Sequence, residues 1–336
     1  MHHDPSNVWF FLPLADGVGL PEDIEQFWQW QTTTPGLGEF WGPYHWILQT
    51  YLRLRQHGFP CRFARQMPPT GVVIAHHNHL PENLRPSPNR LVVSALVDKP
   101  ASQAKVCDLY VVHNRLQERQ DPGRSFYIPS WPQVGLIPRS RERGTRFENA
   151  AFFGYPRQLP AELKSDAFRQ RLLSAGLAWQ MREQTHWHDF SDIDVIVAVR
   201  TLGTSQSHPN KSVLKLVNAW LAEVPAILGY ESAFREVGRR NKDYIEARTP
   251  DEILHAVQQL KSNIEFRNML VENGKARAAE FAAESVLERW QTFLAHVAIP
   301  QYRKRRRVAR IERFLRKLPL YPAARSVKQK LSRILR

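Results

Sequence analysis

Apolar residues along this chain fall into short unbroken runs and into stripes of helical period. Runs at 7–13 (NVWFFLP), 61–65, 71–75, 90–97, 108–113 and 126–129 lack polar alternation, which predicts strands buried on both faces, as in parallel sheets. After the first run comes a segment rich in Gly, Pro and aromatics, including Trp28, Trp30, Gly36, Gly38, Trp41, Gly42 and Pro43, and it reads as a long loop. A helix is predicted over 44–57, with Ile47, Tyr51 and Leu54 on one face and Gly58 as terminator. Residues 100–106 fit one short helix. Few full-length helices separate these strands, so residues 1–136 read as a trimmed α/β unit. The charged stretch 137–149 (IPRSRERGTRFEN), with its Pro and Gly, is the best linker.

A second α/β set follows, over 150–300. Strands are predicted at 150–154, 177–182 and 194–200 (DVIVAVR), with a helix over 166–175. In 208–236 (HPNKSVLKLVNAWLAEVPAILGYESAFRE), Val213, Leu216, Val217, Trp220 and Leu221 make one helical stripe. Lys211, Lys215 and Asn218 then share the opposite face at 100° per residue. Pro225 stops this helix, a short strand covers 226–228, and another helix begins near Glu231. Thr249-Pro250-Asp251-Glu252 is a capping box with Pro at the first helical position. Helices are predicted over 250–261, 264–282 and 284–297, the last with Leu287, Trp290, Phe293, Leu294 and Val297 on one stripe.

Charge changes the picture only once it is located. The net charge is +15, yet residues 301–336 hold 14 Lys and Arg against one acid, Glu312. The first 300 residues carry 33 basic and 31 acidic side chains, so the body is nearly neutral and a specific nucleic-acid partner is not expected. No apolar run approaches the roughly 18 residues that would span a bilayer. The opening MHHDPSNVWFFLPLADG has no basic region before its apolar run, unlike a signal peptide. Cys61 and Cys107 offer neither a disulfide framework nor metal spacing, and a reducing cytoplasm fits.

Two α/β units joined by a linker leave a cleft at the carboxyl ends of their sheets, where open sheets bind ligands. Several pieces of 149–297 stand in a telling order: NAAFFG, SDIDVIVAVR, HPNKSVLKLVNAWLAEVPAILG, SAFREVG and MLVENGKARAAEFAAESVLERW. Together they resemble the donor-binding half of a GT-B glycosyltransferase, similar to the large retaining family called GT4. In the first half the resemblance rests on GVVIAHHNHLP, RLVVSALVDKP and CDLYVVHN. It implies two Rossmann-like domains facing a cleft, a nucleotide-sugar donor as substrate and a closing helix that returns to the first domain. It also implies a glycan or lipid-linked acceptor, with a role in cell-envelope or polysaccharide assembly. A non-catalytic sugar-nucleotide-binding scaffold on the same fold is the other reading.

Transfer from such a donor builds negative charge on the departing diphosphate, which cations and helix N-terminal amides can meet without a metal. Lys211 and Lys215, expected on the first turns of a helix, suit that task, and Arg157 is a further donor-side candidate. The family's two glutamates eight positions apart align with Asn210 and Asn218, which can bond hydroxyls but carry no charge. Glu236 matches a family glutamate on the donor side, and Glu231 can substitute for a lost carboxylate. In the first unit, His77 and Asp98 end buried strands and are the acceptor-side candidates for catalysis. His76, His77 and His79 invite a zinc reading, but no Cys or carboxylate spacing accompanies them, so neither metal nor cofactor is expected. The aromatic loop from Trp28 to Trp46 can stack on sugar faces or pack a core. In the tail, Val308, Ile311, Leu315, Leu318, Val327, Leu331 and Ile334 recur between basic residues. This pattern fits a helix lying on an anionic membrane, with the protein held at its inner face.

Overall fold

A computed structural model describes residues 7–15, 17–34, 42–100 and 107–315. Two parallel sheets organise the chain. The first contains β1 (Val8–Phe11), β2 (Arg62–Ala64), β3 (Gly71–His76), β4 (Arg90–Leu96), β5 (Leu109–Val112) and β6 (Ser125–Tyr127), in the order β2-β1-β3-β4-β5-β6. The second contains β7 (Asn149–Phe153), β8 (Ala178–Arg182), β9 (Val195–Ala198), β10 (Ala226–Leu228) and β11 (Ile245–Glu246), in the order β11-β10-β9-β7-β8. Every predicted strand is present, but burial on both faces holds only for the central ones: the runs at 61–65 and 126–129 form the edge strands β2 and β6, which leave Arg62 exposed and Phe126 and Tyr127 half-buried.

Successive residues of each strand serve opposite faces. Phe10, Ile74, Val93 and Val111 enter one core of the first sheet, while Phe11, Val73, Val92 and Val112 enter the other. The second sheet has its own core, built from β7, β9 and β10 with Leu216, Val217 and Trp220 of the Leu214–Leu221 helix. We call these two bodies the first and second lobes.

The chain does not stay in the second lobe to its end. Helix Ala283–Phe293, a π-helical turn Leu294–Ala298 and helix Ile299–Leu315 follow one another without a break. Val286, Trp290, Phe293, Leu294 and Tyr302 lie in the first lobe's core, where Trp290 is fully buried and meets Phe10 edge-on at 6.4 Å. A division at residue 300 would therefore cut a continuous helix that is anchored on the first sheet. Arg305 extends the anchor, pairing with Asp108 and donating to the Arg90 carbonyl.

Three local findings differ from the sequence reading. The segment expected to be loop contains the helix Ile24–Thr33, capped by Asp23, whose carboxylate accepts the Gln26 N–H, with Ile24, Phe27 and Gln31 turned inward. A short helix, Arg115–Gln120, also stands between β5 and β6, capped by Asn114. Lys211 lies ahead of the Leu214–Leu221 helix, not on it: His208 adopts a left-handed backbone (φ 46°), and its carbonyl takes the Lys211 N–H to close a turn. Gly58 ends the helix before it at φ 73°, as expected of a terminator. The stretch 137–149 is held firmly: Arg139 and Arg143 both bond the fully buried Asp194 carboxylate, which also accepts the Glu148 and Asn149 N–H groups. The short helix proposed at 100–106, the middle of the aromatic loop and the tail beyond Leu315 lie outside the described residues.

Candidate functional site

The carboxyl ends of both sheets meet across one cleft of about 410 Å³. From the first lobe, β3 delivers His76 and His77, the turn after β4 delivers Asp98, and the end of β5 delivers His113. From the second, β7 leads to Gly154 and Arg157, β9 to Arg200, and the segment before β10 contributes Lys211, Lys215 and Asn218. Parallel strands place these residues at the same edge of each sheet, which is why residues far apart in sequence converge.

Lys215 is the most constrained cation of the wall. Its ammonium donates to the Phe153 carbonyl at 2.6 Å and lies over the Phe152 ring at 5.1 Å. Burial pushes its pKa down to about 8, with the nearby Arg200 charge adding to the fall. Gly154 makes room for it: a Cβ there would stand 2.7 Å from the Phe152 ring and 2.9 Å from the Lys215 ammonium. Arg200 pairs with Glu231 at 3.2 Å. Glu231 is buried, so its pKa is raised by desolvation against the pull of Arg200 and Lys215, and its second oxygen has no hydrogen-bond partner among the described residues. It acts as the counter-charge behind the cationic wall. Arg200 was missed by sequence reasoning, although a charged residue ending a buried strand, as in DVIVAVR, is itself a signal.

Lys211 faces the other lobe. Its ammonium meets the Asp98 carboxylate at 3.2 Å. Asp98 is a non-glycine residue at φ 57°. Burial alone would raise its pKa, but the neighbouring His113 and Lys211 outweigh that and hold it below the ordinary range. Asn210 donates its amide to the Asp98 carbonyl at 2.8 Å, and its own carbonyl meets the buried His113 ring at 2.9 Å. Asn114 donates to the Lys211 carbonyl and to Ser232. The two lobes are thus tied by polar bonds at the floor of the cleft.

The other candidates are placed as follows. Asn218 is buried, and its side-chain oxygen accepts the Gln133 N–H at 3.1 Å, another inter-lobe bond. His77 is buried with Nδ1 against the backbone of β4, near the Ala95 carbonyl and the Val97 N–H. Arg157 stacks on Tyr155 at 4.2 Å at the cleft wall. Glu236 is not brought to the cleft; it forms a two-pronged pair with Arg119 on the surface. Among the described residues, no group of three or more His, Cys, Asp and Glu is arranged to hold a metal ion.

No family model and no curated protein matches this chain. Solved structures do. The Anabaena protein HepE, solved with UDP and glucose, superposes with a TM-score of 0.52 at 12% identity, over 86% of this chain and 99% of that one. Sucrose-phosphate synthase from Thermosynechococcus elongatus gives 0.46 at 11% identity, over 75% and 76% of the two chains. TarM gives 0.48 at 10% identity, over 66% of this chain and only 54% of its own. With two parallel α/β lobes facing a shared cleft and a final helix docked on the first lobe, the chain has the GT-B glycosyltransferase fold.

Proposed function

We propose that this protein transfers a sugar from a nucleoside-diphosphate donor to a glycan or lipid-linked acceptor. The observation that carries the reading is the cluster of Lys215, Arg200 and Lys211 at the strand ends of the second lobe. An acceptor hydroxyl attacks the anomeric carbon, the bond from that carbon to the diphosphate breaks, the hydroxyl's proton passes to the departing phosphate oxygen, and the negative charge that remains on the diphosphate falls to these cations. In a cleft that excludes water, fixed cations of this kind lower the barrier more than they would in bulk solvent. HepE, a protein of like fold, was solved with UDP and glucose, which agrees with a donor of that class. Isothermal titration with UDP and GDP tests the reading, and binding of neither would refute it. A donor screen scored by product mass then identifies the sugar.

A second reading, a sugar-nucleotide-binding protein without turnover, is favoured by one observation. Asn210 and Asn218, at the positions of the family's glutamates, spend their side chains on inter-lobe bonds to Asp98 and Gln133. UDP binding with no product from any donor would select it.

We further propose that the basic C-terminal region rests on an anionic membrane, which would suit a lipid-linked acceptor. On helix Ile299–Leu315, Val308, Ile311, Phe314 and Leu315 are exposed apolar residues, with Arg306, Arg307 and Arg310 among them. Among the described residues, no helix is long and apolar enough to cross a membrane.

A further inference from the structure

A groove of about 870 Å³ runs between the terminal helix Ile299–Leu315 and the starts of β1 and β3. Val8 and Val72, paired neighbours at those strand starts, line it from the sheet side. From the helix side come Arg303, Arg306, Arg307, Arg310, Ile311 and Phe314. Their spacing of three and four residues puts them on one helical face, so cations and exposed apolar side chains share a single wall. The cleft takes His76 from the other end of β3, four residues beyond Val72 and roughly 13 Å along the strand. The two sites therefore lie at opposite ends of the first sheet.

No acid lines the groove, and among the described residues Arg306, Arg307 and Arg310 enter no ion pair. The flanking sequence does not supply the missing charge either. Residues 1–6 contain one acid, Asp4, and residues 316–336 contain seven Lys and Arg and no acid, the same sign as the groove. A small anion would meet the guanidinium groups, which match phosphate oxygens in two-pronged bonds, but it would leave the apolar half uncovered. An uncharged hydrocarbon would cover that half and strip water from the cations without replacing it. The occupant that suits both halves is an amphiphile with an anionic head.

We propose that this groove binds one anionic phospholipid, with its phosphate among Arg306, Arg307 and Arg310 and an acyl chain laid against Val8, Val72, Ile311 and Phe314. That a membrane supplies the lipid rests on the membrane reading above, to which the groove adds a discrete site. Because the cleft opens at the opposite strand ends, this lipid anchors the first lobe and is not the acceptor.

The test is isothermal titration of the full chain with three ligands: dihexanoylphosphatidylglycerol below its micelle concentration, dihexanoylphosphatidylcholine and glycerol 3-phosphate. The groove variant carries Ile311→Asn and Phe314→Asn. A control carries Val308→Asn and Leu315→Asn, exposed apolar residues of the same helix that do not line the groove. Wild type is expected to bind the phosphatidylglycerol about tenfold or more tightly than either other ligand. The groove variant should lose about tenfold of that affinity while the control stays within about twofold. Equal affinity for glycerol 3-phosphate, equal losses in the two variants, or no binding of the phosphatidylglycerol would each overturn the proposal. Flotation of wild type with phosphatidylglycerol vesicles separates the two readings. Vesicle binding without binding of the short lipid sinks the groove alone, and the converse sinks the membrane reading alone. Circular dichroism melting confirms folding; should the groove variant misfold, Arg307→Gln with Arg310→Gln is measured against the same outcomes.

Discussion

Lys211 and Asp98 meet across the cleft, ammonium to carboxylate at 3.2 Å, each from a different lobe. The carboxylate occupies the charge that a donor diphosphate would bring to the same lysine. Asp98→Asn is therefore expected to tighten UDP binding, by roughly threefold to tenfold, a range in keeping with one partly exposed pair. Isothermal titration at one fixed salt concentration measures it. Weaker binding by the variant would mean that Asp98 helps to build the site and does not compete for it.

Lys215 predicts a pH dependence with two opposite signs. Its ammonium is held at about 8, below its ordinary 10.5, chiefly by burial and then by Arg200. Diphosphate affinity should fall as pH rises through about 8, because the cation is lost. Between there and about 10 the unfolded chain binds more protons at this lysine than the folded one, so this group makes stability rise with pH. Titrating UDP near pH 8 in buffers of different ionisation enthalpy should reveal proton uptake, and none would contradict the assignment. Lys215→Ala should lose about a hundredfold or more in turnover.

Gly154 is the smallest residue beside that lysine. Gly154→Ala would place a methyl group 2.9 Å from the ammonium and against the Phe152 ring, so one of them must move. We expect about a tenfold loss of UDP affinity with little change in melting temperature, in line with the sensitivity of sites to displacements of this size. A large drop in melting temperature with intact affinity would show that the glycine serves packing alone.

The sheets and most helices were legible in the sequence, but two of the connecting helices were not. Strands such as 71–75 and 90–97 declare themselves because burial on both faces forbids polar interruption. The Ile24–Thr33 helix was hidden by its surroundings of Gly, Pro and Trp, although Asp23 with Ile24 and Phe27 is a legible cap and stripe. Helical period places Lys211 beside Lys215, yet the left-handed turn at His208 displaces it into the loop. Period alone cannot register that event.

Asp194 should govern the stability of the second lobe. Its carboxylate is fully buried between Arg139 and Arg143, and these bonds outweigh the burial that would raise its pKa, leaving it below the ordinary range. Asp194→Asn leaves Arg139 without its counter-charge and Arg143 with only Glu148, at 3.7 Å, and should cost about 3 kcal/mol or more. The wild-type contribution is present above the ordinary aspartate pKa and is lost as pH falls through the lowered folded value. Chemical denaturation of both proteins across pH 3–7 checks this, the gap between them closing at the acid end.

Membrane docking by the basic helix is tested without cutting the chain at residue 300, since Tyr302 and Arg305 are packed against the first lobe. Reversing three exposed charges that touch neither anchor, with Arg307→Glu, Arg310→Glu and Arg313→Glu, spares those anchors. At roughly 1 kcal/mol for each basic residue near an anionic surface, the change should lower liposome binding at least tenfold. Equal flotation with phosphatidylglycerol vesicles would remove the membrane proposal.

Because Trp290 and Tyr302 complete a core begun by Phe10, the first lobe is discontinuous in sequence while the second is an insert within it. Recombination with a relative by a single crossover in 137–149 would therefore graft a foreign terminal helix onto a core shaped for this one. A chimaera that keeps its packing needs two junctions, one on each side of the inserted lobe. The second lobe can thus be exchanged as a cassette, while the two segments that build the first have to change together.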